Sequence, residues 1–246
     1  MLNSELRQDP VSGDWIIIAP GRAKRLRQLI EKHPKRVKAP LKGCPLEHPQ
    51  KSGNPPAVLT YPNKREWAIQ VIPNKYPALV HHDVCGVKTT HGPYAIFPGI
   101  GHHDIVITRG HNTNFPHLSK EEANLVFQAF RDRYLMLYND QCLDYISIFH
   151  NWGPSAGASV YHPHYQLIAT PVVPPDVHHS LQGALRYFDL RKKCVHCVMI
   201  AWERKEKKRV IFENDGAIAF APYVSRSSFE VRVFPKKHLP YFENTY

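Results

Sequence analysis

Residues 119–138 carry the pattern that most restricts how this chain can fold, a long amphipathic helix with its own start signal. Ser119 stands three residues before Glu122, the spacing at which each side chain caps the other's backbone N–H. Leu125, Phe127, Phe130, Tyr134, Leu137 and Tyr138 then recur at helical intervals and give one apolar stripe for a core. Runs with strand character lie on both sides: residues 15–19, 57–61, 67–72 and 103–108 before the helix, 145–149 and 161–170 after it. Pro171, Pro174 and Pro175 open a linker, and a basic, partly helical stretch leads to Cys194. The pattern then restarts, with a helix to about residue 206 and strands at 209–213, 217–220 and 229–234. This order predicts an α+β fold of two related parts, each an antiparallel sheet with helix packed on one face.

The length of 246 residues suits one large or two small domains, and 43% hydrophobic against 22% charged residues excludes a disordered chain. No apolar run approaches a membrane span, and the first residues lack the basic-then-apolar layout of a signal peptide, so a soluble cytoplasmic protein is expected. A formal charge of +11 favours anionic partners, but polyanions, nucleotides and sugar phosphates answer it equally. The excess gathers at residues 22–38 and 204–209, and the second run reads as a solvated helix face or turn. Five cysteines, Cys44, Cys85, Cys142, Cys194 and Cys197, include one Cys-x-x-Cys pair. An odd number without a secretion signal suits metal ligation or reduced thiols better than a disulfide framework. Residues 39–56 are rich in Pro, Gly and Lys, and this irregular excursion around Cys44 needs another tie, such as a metal.

The chemistry gathers in residues 161–170, where strand alternation puts His162, His164 and Gln166 on one face. Pro163 removes a ladder donor, which places this segment at a sheet edge or a strand start. The small-residue loop before it, residues 151–159, can bring backbone N–H groups and the Ser155 and Ser159 hydroxyls close to a phosphate. A neutral imidazole attacks phosphorus well, and a neighbouring amide can hold a non-bridging oxygen. Two solvent-facing histidines at a strand start are the plainer alternative.

His162-Pro163-His164-Tyr165-Gln166, preceded by Asn151-Trp152-Gly153 and Ser155 to Ser159, resembles the active-site segment of galactose-1-phosphate uridylyltransferases. These form the transferase branch of the histidine-triad superfamily, in which Gln replaces the third His. Residues 6–25, including Trp15, Arg22 and Arg25, resemble that family's N-terminal signature, and residues 74–79, 101–106 and 111–119 continue the match in order. The resemblance implies that His164 takes a nucleoside monophosphate from a nucleotide sugar and passes it to a second hexose 1-phosphate. It implies that Gln166 bonds the transferring phosphoryl group, Ser159 holds phosphate oxygens, Asn74 and Asn151 seat the nucleotide, and Arg22 and Arg25 lie near the phosphates.

The same resemblance implies a structural zinc at Cys44, Glu47, His111 and His162. Glu47 departs from the family's second cysteine, and a carboxylate can also ligate zinc. A second zinc falls on Cys194, Cys197 and His238, with its fourth ligand on a later strand. A redox role for the Cys-x-x-Cys pair finds no thioredoxin-like pattern around it. The implied fold has two histidine-triad-like halves, residues 1–173 and an incomplete 174–246, and the implied assembly is a homodimer. Alternatives are a histidine-triad phosphorylase or hydrolase, an inactive truncated relative, and a zinc-stapled nucleic-acid-binding module. The last leaves His-Pro-His-x-Gln unexplained and needs basic residues interleaved with exposed aromatics, whereas the basic runs here lie mostly apart from them.

Overall fold

A computed structural model describes residues 4–20 and 38–245. Strands β1 (Glu5–Gln8) and β2 (Trp15–Ile18) form an antiparallel hairpin. Then come β3 (Leu59–Tyr61), β4 (Ile69–Pro73), β5 (Thr89–His91), β6 (Tyr94–Ile96), β7 (His102–Thr108), helix α1 (Lys120–Leu137), β8 (Tyr145–Phe149) and β9 (His164–Thr170). Helices α2 (Pro175–Arg191) and α3 (Val195–Glu206) precede β10 (Val210–Glu213), β11 (Ala217–Phe220) and β12 (Arg232–Pro235). Among the described residues every strand pairing within the sheets is antiparallel, and with the packed helices this is the expected α+β class.

The main sheet runs β3-β4-β7-β9-β8. Alternation along its strands separates two cores. Ile69, Val71, Val106 and Tyr165 pack under Val126, Ala129 and Phe130 of α1, while Ile72, Ile105 and Ile107 meet Leu46 of the irregular excursion on the opposite side. The capping box is made as expected: Glu122 N–H donates to Ser119 Oγ at 3.1 Å, and Ser119 N–H donates to a Glu122 carboxylate oxygen at 3.0 Å.

The inward stripe of α1 is rotated from the aromatic one the sequence suggests. Val126, Ala129, Phe130, Arg133 and Leu137 are buried, whereas Phe127 and Tyr138 stay about half exposed. The cause is a polar residue in a core position. Arg133 Nε donates to Asp104 Oδ2 of β7 at 2.7 Å, both groups being buried, so the helix is locked to the sheet by a charge pair that an apolar count overlooks.

The cysteines also divide differently from the expectation. Cys85 and Cys142 form a disulfide with their Cα atoms 5.0 Å apart. Their separation of 57 residues gives no spacing signal, and only the fold brings the excursion between β4 and β7 against the end of α1. Cys44, Cys194 and Cys197 remain free thiols.

Two compact units emerge among the described residues: 38–173, and 4–20 together with 174–245. The N-terminal hairpin therefore groups with α2, α3 and the β10-β11-β12 sheet, not with the main sheet as a division at 173 and 174 would have it. Charge pairing explains this. Asp9, which is buried, faces Arg226 at 3.8 Å and Arg232 at 3.7 Å, and Arg226 also reaches Asp14 at 2.6 Å. Arg7 donates to the Tyr223 carbonyl at 2.8 Å and lies over that ring. Gly183 completes the fit, since any side chain there would run into the Val11 carbonyl. None of these partners is adjacent in sequence.

Removing one member of a buried pair strands the other charge, at a cost of about 3–5 kcal/mol. Arg133→Ala is expected to lower unfolding free energy by roughly that amount, and Arg133→Met, which keeps the packing, to lose as much because Asp104 is still left alone. Urea titration of the Asp104→Asn/Arg133→Met double variant should recover most of the loss.

Candidate functional site

Pro163 decides where β9 starts. Lacking an N–H, it takes residue 162 out of the ladder, and pairing with β7 begins at Ile107 opposite His164, followed by Ile105 opposite Gln166. Strand alternation therefore unites His164 and Gln166 but not His162, whose fully buried imidazole turns instead toward Cys44. His164 Nδ1 lies 2.9 Å from the His162 carbonyl oxygen. A carbonyl only accepts, so Nδ1 carries the proton and Nε2 carries the lone pair.

Gln166 leads to a residue absent from the sequence-based list. Its Oε1 is 3.1 Å from His103 Nε2, and His103 Nδ1 accepts the Ala78 backbone N–H at 3.0 Å. Asn74 joins them: its N–H donates to the His103 carbonyl at 2.8 Å, its Oδ1 accepts from Tyr76 N–H at 2.9 Å, and its Nδ2 is 3.1 Å from His103 Nε2. The available signal was parity, for His103 shares its strand face with the buried Ile105 and Ile107, an unusual place for an imidazole without a task.

The remaining expected residues are placed less tightly. Strand β8 ends with Phe149 opposite Gln166, so the loop that follows starts beside the His164 end of β9. Asn151 is half-buried at its beginning and Ser159 is exposed near its end. Between them a single turn, Pro154–Ala156, closes on Gly157 at φ 79°, which a residue with a Cβ rarely adopts. Arg22 and Arg25 lie outside the described residues.

Below this face four groups converge. Cys44 Sγ is 3.6 Å from His162 Nδ1, and Glu47 Oε2 is 3.9 Å from both His162 Nδ1 and His111 Nδ1. Each imidazole spends its other nitrogen on a backbone carbonyl, His162 Nε2 on Thr108 at 2.7 Å and His111 Nε2 on Ala39 at 2.9 Å. Both Nδ1 lone pairs therefore point inward. Burial, above all, pushes the His162 pKa down and favours the neutral ring. His111 Nδ1 and Glu47 Oε2 are buried without a hydrogen-bond partner. That is an arrangement with an energetic cost unless a cation completes it. Tetrahedral zinc sets sulfur and nitrogen ligands about 3.6 Å apart, the spacing found between Cys44 and His162. Arg109 holds Glu47 from outside, donating to its carbonyl at 2.9 Å with the second guanidinium nitrogen 4.0 Å from Oε1. Cys44, His111 and His162 can thus hold a metal ion, with Glu47 in reach as a fourth ligand.

Cys194, Cys197 and His238 form a second such group in the other unit. Cys194 precedes the first turn of α3, Cys197 lies within that turn, and its Sγ is 3.1 Å from His238 Nδ1. Burial and the neighbouring Cys194 push the Cys197 thiol pKa up. A third group, His81, His102 and Asp140, has the right residue types but the wrong orientation. Its two rings stack 4.5 Å apart at 23°, so their in-plane lone pairs run side by side instead of meeting.

Residues 1–174 match the family of the galactose-1-phosphate uridyl transferase N-terminal domain. An ADP-glucose phosphorylase from Arabidopsis thaliana is 32% identical over 243 residues, covering 98% of this chain and 68% of the relative. A galactose-1-phosphate uridylyltransferase from Thermotoga maritima is 26% identical over 236 residues, covering 96% of this chain and 67% of the relative. The crystal structure of an Arabidopsis thaliana ADP-glucose phosphorylase with bound ADP-glucose superposes with a TM-score of 0.78 at 29% identity, covering 98% of this chain and 71% of the other. The chain thus spans about two thirds of the length of these relatives. With a family match over residues 1–174, more than half its length, this chain belongs to the galactose-1-phosphate uridyl transferase family, through its N-terminal domain.

Proposed function

We propose that this chain carries the nucleophile of a nucleotidyltransferase that moves UMP or AMP between hexose 1-phosphates through a covalent nucleotidyl-histidine on His164. The tautomer of His164 is the observation that carries this reading: its Nδ1–H is held by the His162 carbonyl at 2.9 Å, which leaves Nε2 as the attacking atom. In the first step the Nε2 lone pair forms a bond to the α-phosphorus of a nucleotide sugar. The bond from that phosphorus to the bridging oxygen breaks, and the sugar 1-phosphate leaves with the electron pair. The ring becomes cationic, and the carbonyl already bonded to Nδ1–H stabilises it. In the second step an oxygen of the acceptor phosphate attacks the same phosphorus, the phosphorus–nitrogen bond breaks, and the neutral imidazole returns.

Gln166 is assigned the transferring phosphoryl group, Ser159 a phosphate oxygen, Asn74 and Asn151 the nucleotide, and Arg22 and Arg25 the neighbourhood of the phosphates, all by their correspondence to family positions. Zinc is the ion proposed for Cys44, Glu47, His111 and His162, and for the group of Cys194, Cys197 and His238. Bound there it supplies a fixed scaffold and no step of the reaction. A cytoplasmic homodimer of chains built on two histidine-triad-like halves completes the reading.

A second acceptor also has support. The 32% identity to an ADP-glucose phosphorylase favours inorganic phosphate in place of a hexose 1-phosphate, with the first step unchanged.

Incubation with UDP-glucose or ADP-glucose should add one nucleoside monophosphate to the intact mass, in an acid-labile bond and only in the presence of His164. His164→Ala should show no adduct; an equal adduct in that variant would overturn the reading. Subsequent addition of galactose 1-phosphate or inorganic phosphate should discharge the adduct and so choose between the two acceptors.

Zinc content provides an independent check. Cys44→Ser is expected to lose about one equivalent of bound zinc and to melt roughly 5 °C lower or more. Glu47→Cys should keep the ion and hold it against a chelator longer.

A further inference from the structure

We infer that His103 is a positioning residue for the transfer, turning the Gln166 amide so that its NH2 end faces the phosphoryl group at His164; the inference rests on the nucleotidyl-transfer reading above. A glutamine amide can present either oxygen or NH2 to a ligand. The two ends are nearly the same size, so neighbouring donors and acceptors decide which one points where. An anionic phosphoryl group needs the NH2 end.

The neighbour that decides is His103, and its tautomer is fixed by the backbone. Ala78 N–H can only donate, and it reaches His103 Nδ1 at 3.0 Å. The ring proton therefore sits on Nε2, 3.1 Å from Gln166 Oε1. An inverted Gln166 would take away the acceptor of this N–H in a site where His103 is only 9% exposed, since the other polar atom beside it, Asn74 Nδ2 at 3.1 Å, is itself a donor. Asn74 cannot rescue the inverted form, because the atom it presents here, Nδ2, is also a donor, and its Oδ1 is committed to Tyr76 N–H. The strand ladder keeps the imidazole in place, for His103 pairs with Ile168 and Ile105 pairs with Gln166 in consecutive same-face positions. A single backbone N–H at Ala78 thus sets, through two side chains, which end of an amide meets the substrate.

Two substitutions separate this role from simple packing. His103→Asn keeps an acceptor near Ala78 N–H but is too short to reach Gln166. His103→Gln restores an N–H near the position of Nε2. The measurement is the single-turnover rate of nucleotidyl-His164 formation, followed by intact mass with ADP-glucose and with UDP-glucose across donor concentrations, for proteins whose thermal melting matches wild type.

His103→Asn is expected to slow adduct formation roughly tenfold or more at saturating donor, with the half-saturating concentration changed less than about twofold, and His103→Gln to regain most of the rate. In a Gln166→Ala background His103→Asn should cause no further loss. A wild-type rate in His103→Asn, a change confined to half-saturation, or losses that multiply with Gln166→Ala would each overturn the assignment. If the wild type forms no adduct with either donor, the transfer reading itself falls and this role with it. An adduct formed equally fast by wild type and His103→Asn would overturn the role alone.

Discussion

The pairing of β7 with β9 is the constraint on which the rest of the main unit depends. Its register sets Ile107 opposite His164, Ile105 opposite Gln166 and His103 opposite Ile168, so one face of two strands holds the proposed nucleophile, the amide proposed to bond the phosphoryl group and the histidine that orients it. The same two strands send Val106 and Tyr165 to the opposite face, under α1. A slip of one residue would exchange the two sets and bury the imidazole beneath the helix. Antiparallel strands with different chemistry on each side leave no second register of comparable stability. The apolar demands of one face thereby fix the polar geometry of the other.

Much of this was legible from local rules, and the failures have physical causes. The capping box at Ser119 and Glu122, the strand at Tyr145–Phe149 and the shared face of His164 and Gln166 follow from spacing alone, because each depends on neighbours within a few residues. Arg133 was invisible because a charged side chain enters the core only when a partner from elsewhere, here Asp104, meets it. The partnership of Cys85 with Cys142, the grouping of the first hairpin with the second unit, and the network from Ala78 to Gln166 are all contacts of long sequence separation. His162 was misplaced for a subtler reason. Alternation holds only inside a ladder, and Pro163 ends the ladder between the two histidines.

That break gives His162 two separate tasks within one residue. Its side chain joins Cys44, His111 and Glu47 below the sheet, and its carbonyl accepts the Nδ1 proton of His164. Whatever fixes the imidazole of His162 therefore also fixes the acceptor that sets the tautomer of His164. Glu47 leaves that device intact. Its one oxygen faces the two histidines and the other leans toward Arg109, so the carboxylate is aimed despite being a hard ligand beside a soft one.

The partition of the five cysteines has a consequence for how the chain must be made. Two of them are oxidised to each other and three are thiols in groups suited to a cation. A thiol that meets an oxidant unmasked can attack a nascent disulfide through its sulfur, so Cys44 competes with Cys85 and Cys142 until something covers it. A metal ion on Cys44, and another on the Cys194 and Cys197 pair, would act as a protecting group. Order of events then matters as much as sequence: metal first and oxidant second yields one pairing, whereas the reverse order opens the way to scrambled ones.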